Sequence, residues 1–351
     1  MQRLDYEPRF AATAIGSLPH TDVGRACRLM LDNLPEIPAW PQLPHRAFLE
    51  NMYVQYSEGM PGVKVDLEAE RIWFQVDGDL GDALATFYQA IIDEDLEHFA
   101  MSERYAAGLA AFLSGGYAGE LSGRPLLKGQ VTGPISLGLT VTDQAKKASL
   151  YHEQVEVAIV QGLTWKARWQ VERLRAAAPD AGILLFIDEP YLVSVGSALI
   201  AVTGEQVVRD ISDVAKGCGA DLVGIHCCGN TDWSLVFDAG VDVVNFDAYD
   251  YMEGFIAYHE RIAAHVESGG IIAWGIVPDD EKALSVGLED LAGRLEEAFD
   301  TLEARGVDRG LLARGSILSP ACGLGSTTQD AAKEALAATA GLSTLMRGRY
   351  F

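Results

Sequence analysis

His226 and Cys228 lie two residues apart at the end of the apolar run Leu222–Cys227. Alternate side chains of a strand share one face, so His226 and Cys228 point together while Cys227 points away. An imidazole nitrogen beside a thiolate sulfur suits zinc. Two donors do not make a site, and cysteine is often simply a small buried hydrophobe. The remaining donors must come from elsewhere in the chain. Cys322, in Pro320-Ala-Cys322-Gly-Leu-Gly325, is one candidate. Asp247 is the natural candidate for a fourth, because it keeps strand parity with Val243 and Asn245. The bland alternatives are a thiol beside a glycine turn for Cys322 and a turn or helix cap for Asp247. Other reactive types also end apolar runs: Ser17 and His20 near Gly16-Ser-Leu-Pro19, and Asp188 and Glu189 before Pro190. Cys27, Cys218 and Cys227 read as structural, and no role is assigned to His45, His98, His152, His259 or His265.

Strand-like and helix-like segments alternate along the chain and would position these residues. Short apolar runs fall at Ala11–Leu18, Ile37–Leu43, Pro125–Thr132, Gly182–Ile187, Leu222–Cys227, Val241–Asp247, Gly270–Val277 and Gly315–Ser319. Helical patterns lie between most of them, at about Leu80–Gly115, Ala145–Ala177, Gly204–Gly217, Gly254–Ser268 and Asp280–Arg305, with a last one at Thr328–Met346. Lys64–Val76 alternates apolar and charged residues, as expected of an exposed hairpin inserted between the main elements. Repeated strand-then-helix order implies a parallel sheet covered by helices. Eight such units in 351 residues fit one domain, 1–351, folded as an α/β (β/α)8 TIM barrel, with the hairpin and extra helices after the second strand. A doubly wound open sheet is the alternative. In a barrel of this kind active sites form at the C-terminal ends of the strands, which is where the candidate residues fall.

Composition narrows the function. There are 27 Lys and Arg against 50 Asp and Glu, a net charge of −23, which repels phosphate backbones and argues against nucleic acid as a partner. Gly-rich phosphate-binding fingerprints are absent. Five cysteines, sparse and odd in number, argue against a disulfide framework and for a reducing compartment. No apolar run is long enough to span a membrane, and the polar start lacks the apolar region of a signal peptide. A cytoplasmic location is expected.

Six pieces of the chain, in order, resemble the catalytic C-terminal domain of cobalamin-independent methionine synthase, within the wider group that contains uroporphyrinogen decarboxylase and zinc methyltransferases of small thiols. They are Ile15-Gly-Ser-Leu-Pro19, Thr132-Gly-Pro134, Ile187-Asp-Glu-Pro190, His226-x-Cys228, Val243-Val-Asn-Phe-Asp247 and Ser319-Pro-Ala-Cys-Gly-Leu324. The resemblance implies zinc held by His226, Cys228, Asp247 and Cys322. The acid is glutamate in the family and aspartate here, one methylene shorter. It also implies that homocysteine is held by Ile15, Ser17, Asp188 and an upstream glutamate, for which Glu50 in Glu50-Asn-Met52 is the candidate. The family's full-length enzyme has a second, N-terminal barrel that helps bind its folate donor. This chain starts directly at the catalytic barrel and so resembles a stand-alone core form. Such forms imply a methylated corrinoid, methylcobalamin or a corrinoid protein, as methyl donor.

The chemistry expected is methyl transfer. Two thiolates and a carboxylate would leave a zinc site with a formal charge of about −1, poorly suited to activating water and better suited to a nucleophilic sulfur. Asp188 would grip the substrate ammonium, and Ser17 with the Ile15 backbone its carboxylate. The rivals are a methyltransferase for another small thiol, a metal-free decarboxylase of the uroporphyrinogen type, and a barrel with a closed structural zinc site.

Overall fold

The computed structural model describes residues 4–78, 80–114, 116–198 and 200–351. Its strands are β1 (Ala11–Ala12), β2 (Val63–Asp66), β3 (Arg71–Phe74), β4 (Leu126–Thr132), β5 (Gly182–Asp188), β6 (Leu222–Cys227), β7 (Val243–Asp247), β8 (Ile271–Val277) and β9 (Ser316–Pro320). Seven form one parallel sheet in the order β1-β9-β8-β7-β6-β5-β4, and β2 and β3 make the expected separate antiparallel hairpin. The chain is thus an α/β protein with a parallel sheet and helices between its strands. No helix among the described residues is long and apolar enough to cross a membrane.

β4 to β9 carry almost continuous apolar sequence because both faces are covered, as parallel strands require. One set of alternate residues, including Leu126, Leu184, Leu222, Val243, Ile271 and Ile317, packs into an inner cluster. The other set, including Leu127, Leu185, Val223, Val244, Ile272 and Leu318, packs outward into the main core with the helices. The parity that aims Leu222 inward also aims His226 inward. Cys227 belongs to the outward set and is buried in the main core, so it is structural.

The expected second strand, Ile37–Leu43, forms isolated bridges rather than a ladder. Ala39 bridges Lys128 and Gln42 bridges Ser17, both parallel. On one side the Leu126 and Lys128 amides donate to Glu36 and Pro38 carbonyls at 3.2 and 2.9 Å. On the other, the Gln42 amide donates to Gly16 and the Leu18 amide to Gln42, at 3.0 and 2.9 Å. Pro38 and Pro41 have no N–H to give, which explains the interrupted ladder. This segment therefore bridges edge strand β4 on one side and the Gly16–Leu18 stretch that follows β1 on the other.

Several expected helices are divided. The Leu80–Gly115 pattern becomes Leu80–Ile92, a turn at Leu96–Phe99 and Ala107–Phe112, and its expected end, Gly115, lies outside the described residues. The helix expected from Ala145 begins at Glu153, because Asp143 holds the preceding turn by accepting from the Ala145 and Lys147 amides at 2.8 and 2.9 Å. Helix starts elsewhere follow their caps: Thr203 accepts from Gln206 and Thr328 from Ala331.

Candidate metal centre and the adjoining cavity

Register lines up the inner face. Thr132 pairs with Asp188, Asp188 with His226, His226 with Asn245, and Asn245 with Ala273. Asp188, His226 and Asn245 therefore stand side by side. The Asn245 amide nitrogen donates to the Ala273 carbonyl at 2.9 Å and towards Ser319 Oγ at 3.0 Å. A carbonyl only accepts, so the orientation of Asn245 is fixed and its oxygen faces His226 Nδ1 at 2.5 Å. Nδ1 must then carry the proton. His226 Nε2 is left as a lone pair, buried and without a partner. A ring nitrogen prepared in this way is the usual state of a metal-ligating histidine, whose other nitrogen is held by an outer residue.

The group around that lone pair is His226, Cys228 and Cys322, whose donor atoms all lie within 4.8 Å of one another. Cys228 follows β6, and Cys322 follows β9 on the turn that begins Ala321-Cys322-Gly323. Cys322 donates to Cys228, and this, with His226, holds the Cys228 thiol down at about 4 against the opposing effect of burial. The same bond and burial raise Cys322 well above the usual thiol range. Burial disfavours a charged His226, but Cys228 and Asp188 outweigh it and the pKa of the ring is raised. One imidazole lone pair and two sulfurs fit a zinc ion by type and by proximity.

Asp247 does not belong to this three-residue group. It ends β7, is 8% exposed, and accepts from the Asp250 amide at 2.9 Å, capping the turn that follows. Burial, with Asp250 and Asp279 nearby, pushes it up to about 6. Asp279, after β8, is a carboxylate that the sequence reading did not single out. Its pKa is raised by burial and by charges that include Cys228.

A cavity of about 460 Å³ opens beside the sulfurs and takes in Ile15, Ser17, Glu50 and Asp188 together with His226, Cys228 and Cys322. All four residues anticipated for substrate are therefore brought together, although Glu50 comes from the short 3-10 helix Phe48–Glu50 rather than from a strand end. Asp188 Oδ1 and Glu50 Oε2 are both buried and without a partner. Burial raises Asp188 to about 6, with Lys128 and His226 pulling it down. Burial also raises Glu50, opposed by the ion pair with Arg46. Ser17 Oγ accepts from the Gly325 amide at 3.3 Å. A Cβ at Gly323 would lie 2.2 Å from that oxygen, so glycine lets the last turn close over the first strand. His20 is buried but is not among the lining residues, whereas His45, to which no role was assigned, is.

Glu189, next to Asp188, is used differently. Its carboxylate accepts from the Ile135 amide at 2.9 Å and from the Ser136 amide and hydroxyl at 2.8 and 2.6 Å. These bonds cap the helix Pro134–Thr140. A Cβ at Gly133 would sit 2.1 Å from the Glu189 carboxyl carbon. Thr132-Gly-Pro134 and Asp188-Glu-Pro190 are thus two halves of one structural joint. Burial still raises Glu189 to about 7 against these donors.

Two polar residues beside the site escaped sequence reading, Asn245 and Lys128. Both are polar, both interrupt apolar strands at inward parity, and both are 0% exposed. That interruption was the available signal.

The chain matches no protein-family model and no curated protein. Among solved structures it is similar to a B12-independent methionine synthase from Shewanella sp. W3-18-1 in complex with selenomethionine, at 15% identity and a TM-score of 0.57, over 97% of this chain and 98% of that one. It is also similar to a methyltransferase from Methanosarcina mazei, at 14% identity and a TM-score of 0.53, over 96% of this chain and 94% of that one. The chain has the fold of these two proteins over almost its whole length.

Proposed function

We propose that the chain is a zinc-dependent methyltransferase that moves a methyl group to the thiol of homocysteine, giving methionine. The observation that carries this reading is a convergence in one cavity. A soft donor set adjoins two buried carboxylate oxygens that have no partner, Asp188 Oδ1 and Glu50 Oε2. Unpaired buried acceptors are costly, so a ligand that fills this cavity should bring donors to them. A primary ammonium brings three, and homocysteine carries an ammonium and a thiol on one short skeleton.

His226, Cys228 and Cys322 would hold the metal, with Asp247 from the neighbouring strand as the proposed fourth donor. A bound zinc ion supplies positive charge that keeps a thiol deprotonated at neutral pH. Asp188 and Glu50 receive the substrate ammonium. Ser17 and the Ile15 backbone receive the carboxylate. Held at both ends, the substrate presents its sulfur beside the two cysteines in one orientation, which is most of what an alkyl transfer needs from a protein. The S–CH3 bond then forms as the bond from methyl to its donor breaks. The donor proposed is a methylated corrinoid, free or protein-bound.

The scaffold proposed is a single closed (β/α)8 barrel in the cytoplasm, with Ile37–Leu43 as the eighth strand between β1 and β4. The bridges on both sides of that segment support closure. The test is to incubate zinc-loaded protein with homocysteine and either methylcobalamin or methyl-tetrahydrofolate, and to follow methionine by mass spectrometry. Methionine formed with methylcobalamin is expected. No methionine with either donor at full zinc occupancy would reject the reading, and methylation of 2-mercaptoethanol in preference to homocysteine would transfer it to another thiol.

A further inference from the structure

Lys128 lies on β4 among inner-face residues and is wholly buried, yet it is not itself one of the residues that line the cavity. A buried ammonium is costly unless its surroundings compensate, so its partners show what it holds. Its Nζ donates to the Ile15 carbonyl at 2.7 Å and towards Gln130 Oε1 at 3.3 Å, and it sits 4.4 Å from the centre of the Phe186 ring. Gln130 is tied in turn, donating to the Trp40 carbonyl at 3.1 Å. Together they form a platform under the first-strand turn. Gly16 rests directly on it: its φ is +142°, and a Cβ there would lie 2.7 Å from the Gln130 amide nitrogen.

The peptide geometry gives this platform a consequence. In a trans peptide the C=O and the following N–H point in opposite directions. With the Ile15 carbonyl drawn to Lys128, the Gly16 N–H is turned away from the ammonium. No backbone N–H of Ile15, Gly16 or Ser17 donates to a protein acceptor among the described residues. Successive free amides of this kind make a concavity suited to an anion.

We propose that Lys128 is a positioning residue that fixes the Ile15–Ser17 turn and so sets the affinity for the carboxylate end of the substrate. This rests on the amino-acid thiol substrate proposed above. Lys128 also balances charge, since its ammonium acts on Asp188, but the positioning role stands on the hydrogen bonds alone.

The test compares wild type with Lys128→Met, similar in length but with no donor, and Lys128→Gln, which keeps a donor without charge. Three readouts are taken: bound zinc, KM and kcat for homocysteine, and amide hydrogen exchange of the peptide covering residues 13–18. Lys128→Met is expected to keep its zinc, to raise KM roughly 10-fold or more with little change in kcat, and to speed exchange in 13–18 but not in 222–228. Lys128→Gln is expected to fall between, and it carries the comparison alone if the methionine variant does not fold. Unchanged KM and unchanged exchange would overturn the proposal, as would a general rise in exchange accompanied by zinc loss, the mark of a merely structural lysine. If wild type does not use homocysteine, the proposed function falls. Local exchange at 13–18 then decides the positioning claim, faster exchange supporting it and unchanged exchange rejecting it.

Discussion

Asp188 and Glu189 are neighbours on the chain and occupy opposite regions at the end of β5. Both are buried, and burial raises both pKa values. Glu189 faces the helices, where three donors satisfy its two oxygens. Asp188 faces the cavity with one oxygen unpaired. Burial and electrostatics do not separate the two. Hydrogen-bond satisfaction does: the outer carboxylate has spent its acceptor capacity on the fold, and the inner one has kept some for a ligand. The same distinction separates Cys227, packed into the core, from Cys228 at the cavity.

The comparison can be broken most severely on the cavity side. Cys228→Ser or Cys322→Ser should remove zinc and activity together while the chain stays folded, because a hydroxyl is a poor zinc ligand at neutral pH. Metal analysis of the purified variants reads this directly, and full zinc content in both would undo the site. Asp188→Asn should weaken homocysteine binding by roughly 10- to 100-fold, the worth of a hydrogen bond to a charged group, with zinc retained. Because the ionised carboxylate is the binding form and its pKa lies near 6, wild-type affinity should fall as pH drops through that value. Calorimetric titrations at several pH values should show this fall disappearing in the asparagine variant.

On the outer side, Glu189→Gln should leave zinc and homocysteine affinity intact but lower stability by about 2 kcal/mol, since an amide cannot accept from both helix amides. Denaturant unfolding would show it, and a ligand-affinity loss larger than the stability loss would erase the contrast between the two residues. The smallest effect is expected one shell out: Asn245→Ala should lower zinc affinity by about 10-fold by freeing the His226 ring, without removing a ligand. Competition with a chelator measures it.

Sequence parity alone placed His226 and Cys228 on one face and Cys227 on the other, because the period of a strand is rigid. The convergence of Ser17, Asp188 and Cys322 was legible for the same reason: all three lie at or just past the C-terminal ends of apolar runs that join one parallel sheet. Glu50 was reachable only through resemblance, since it stands on the short 3-10 helix Phe48–Glu50, outside the apolar runs whose ends mark the cavity. Asn245 and Lys128 were overlooked although they lie in the strands, because their meaning depends on which carbonyls and rings they meet across the sheet. The role of Glu189 was hidden for a related reason, since its partners are more than fifty residues away. The second strand was legible as an apolar segment, but its prolines reduced the ladder to isolated bridges.

The central claim is that the cavity holds an amino-acid thiol and deprotonates it. Proton release on binding tests this most directly: homocysteine is added to zinc-loaded protein in weak buffer with an indicator dye, and homoserine, which has a hydroxyl in place of the thiol, serves as the control. The account predicts release of about one proton per site with homocysteine and none with homoserine. Binding of homocysteine without proton release, or equal release with both compounds, would contradict it.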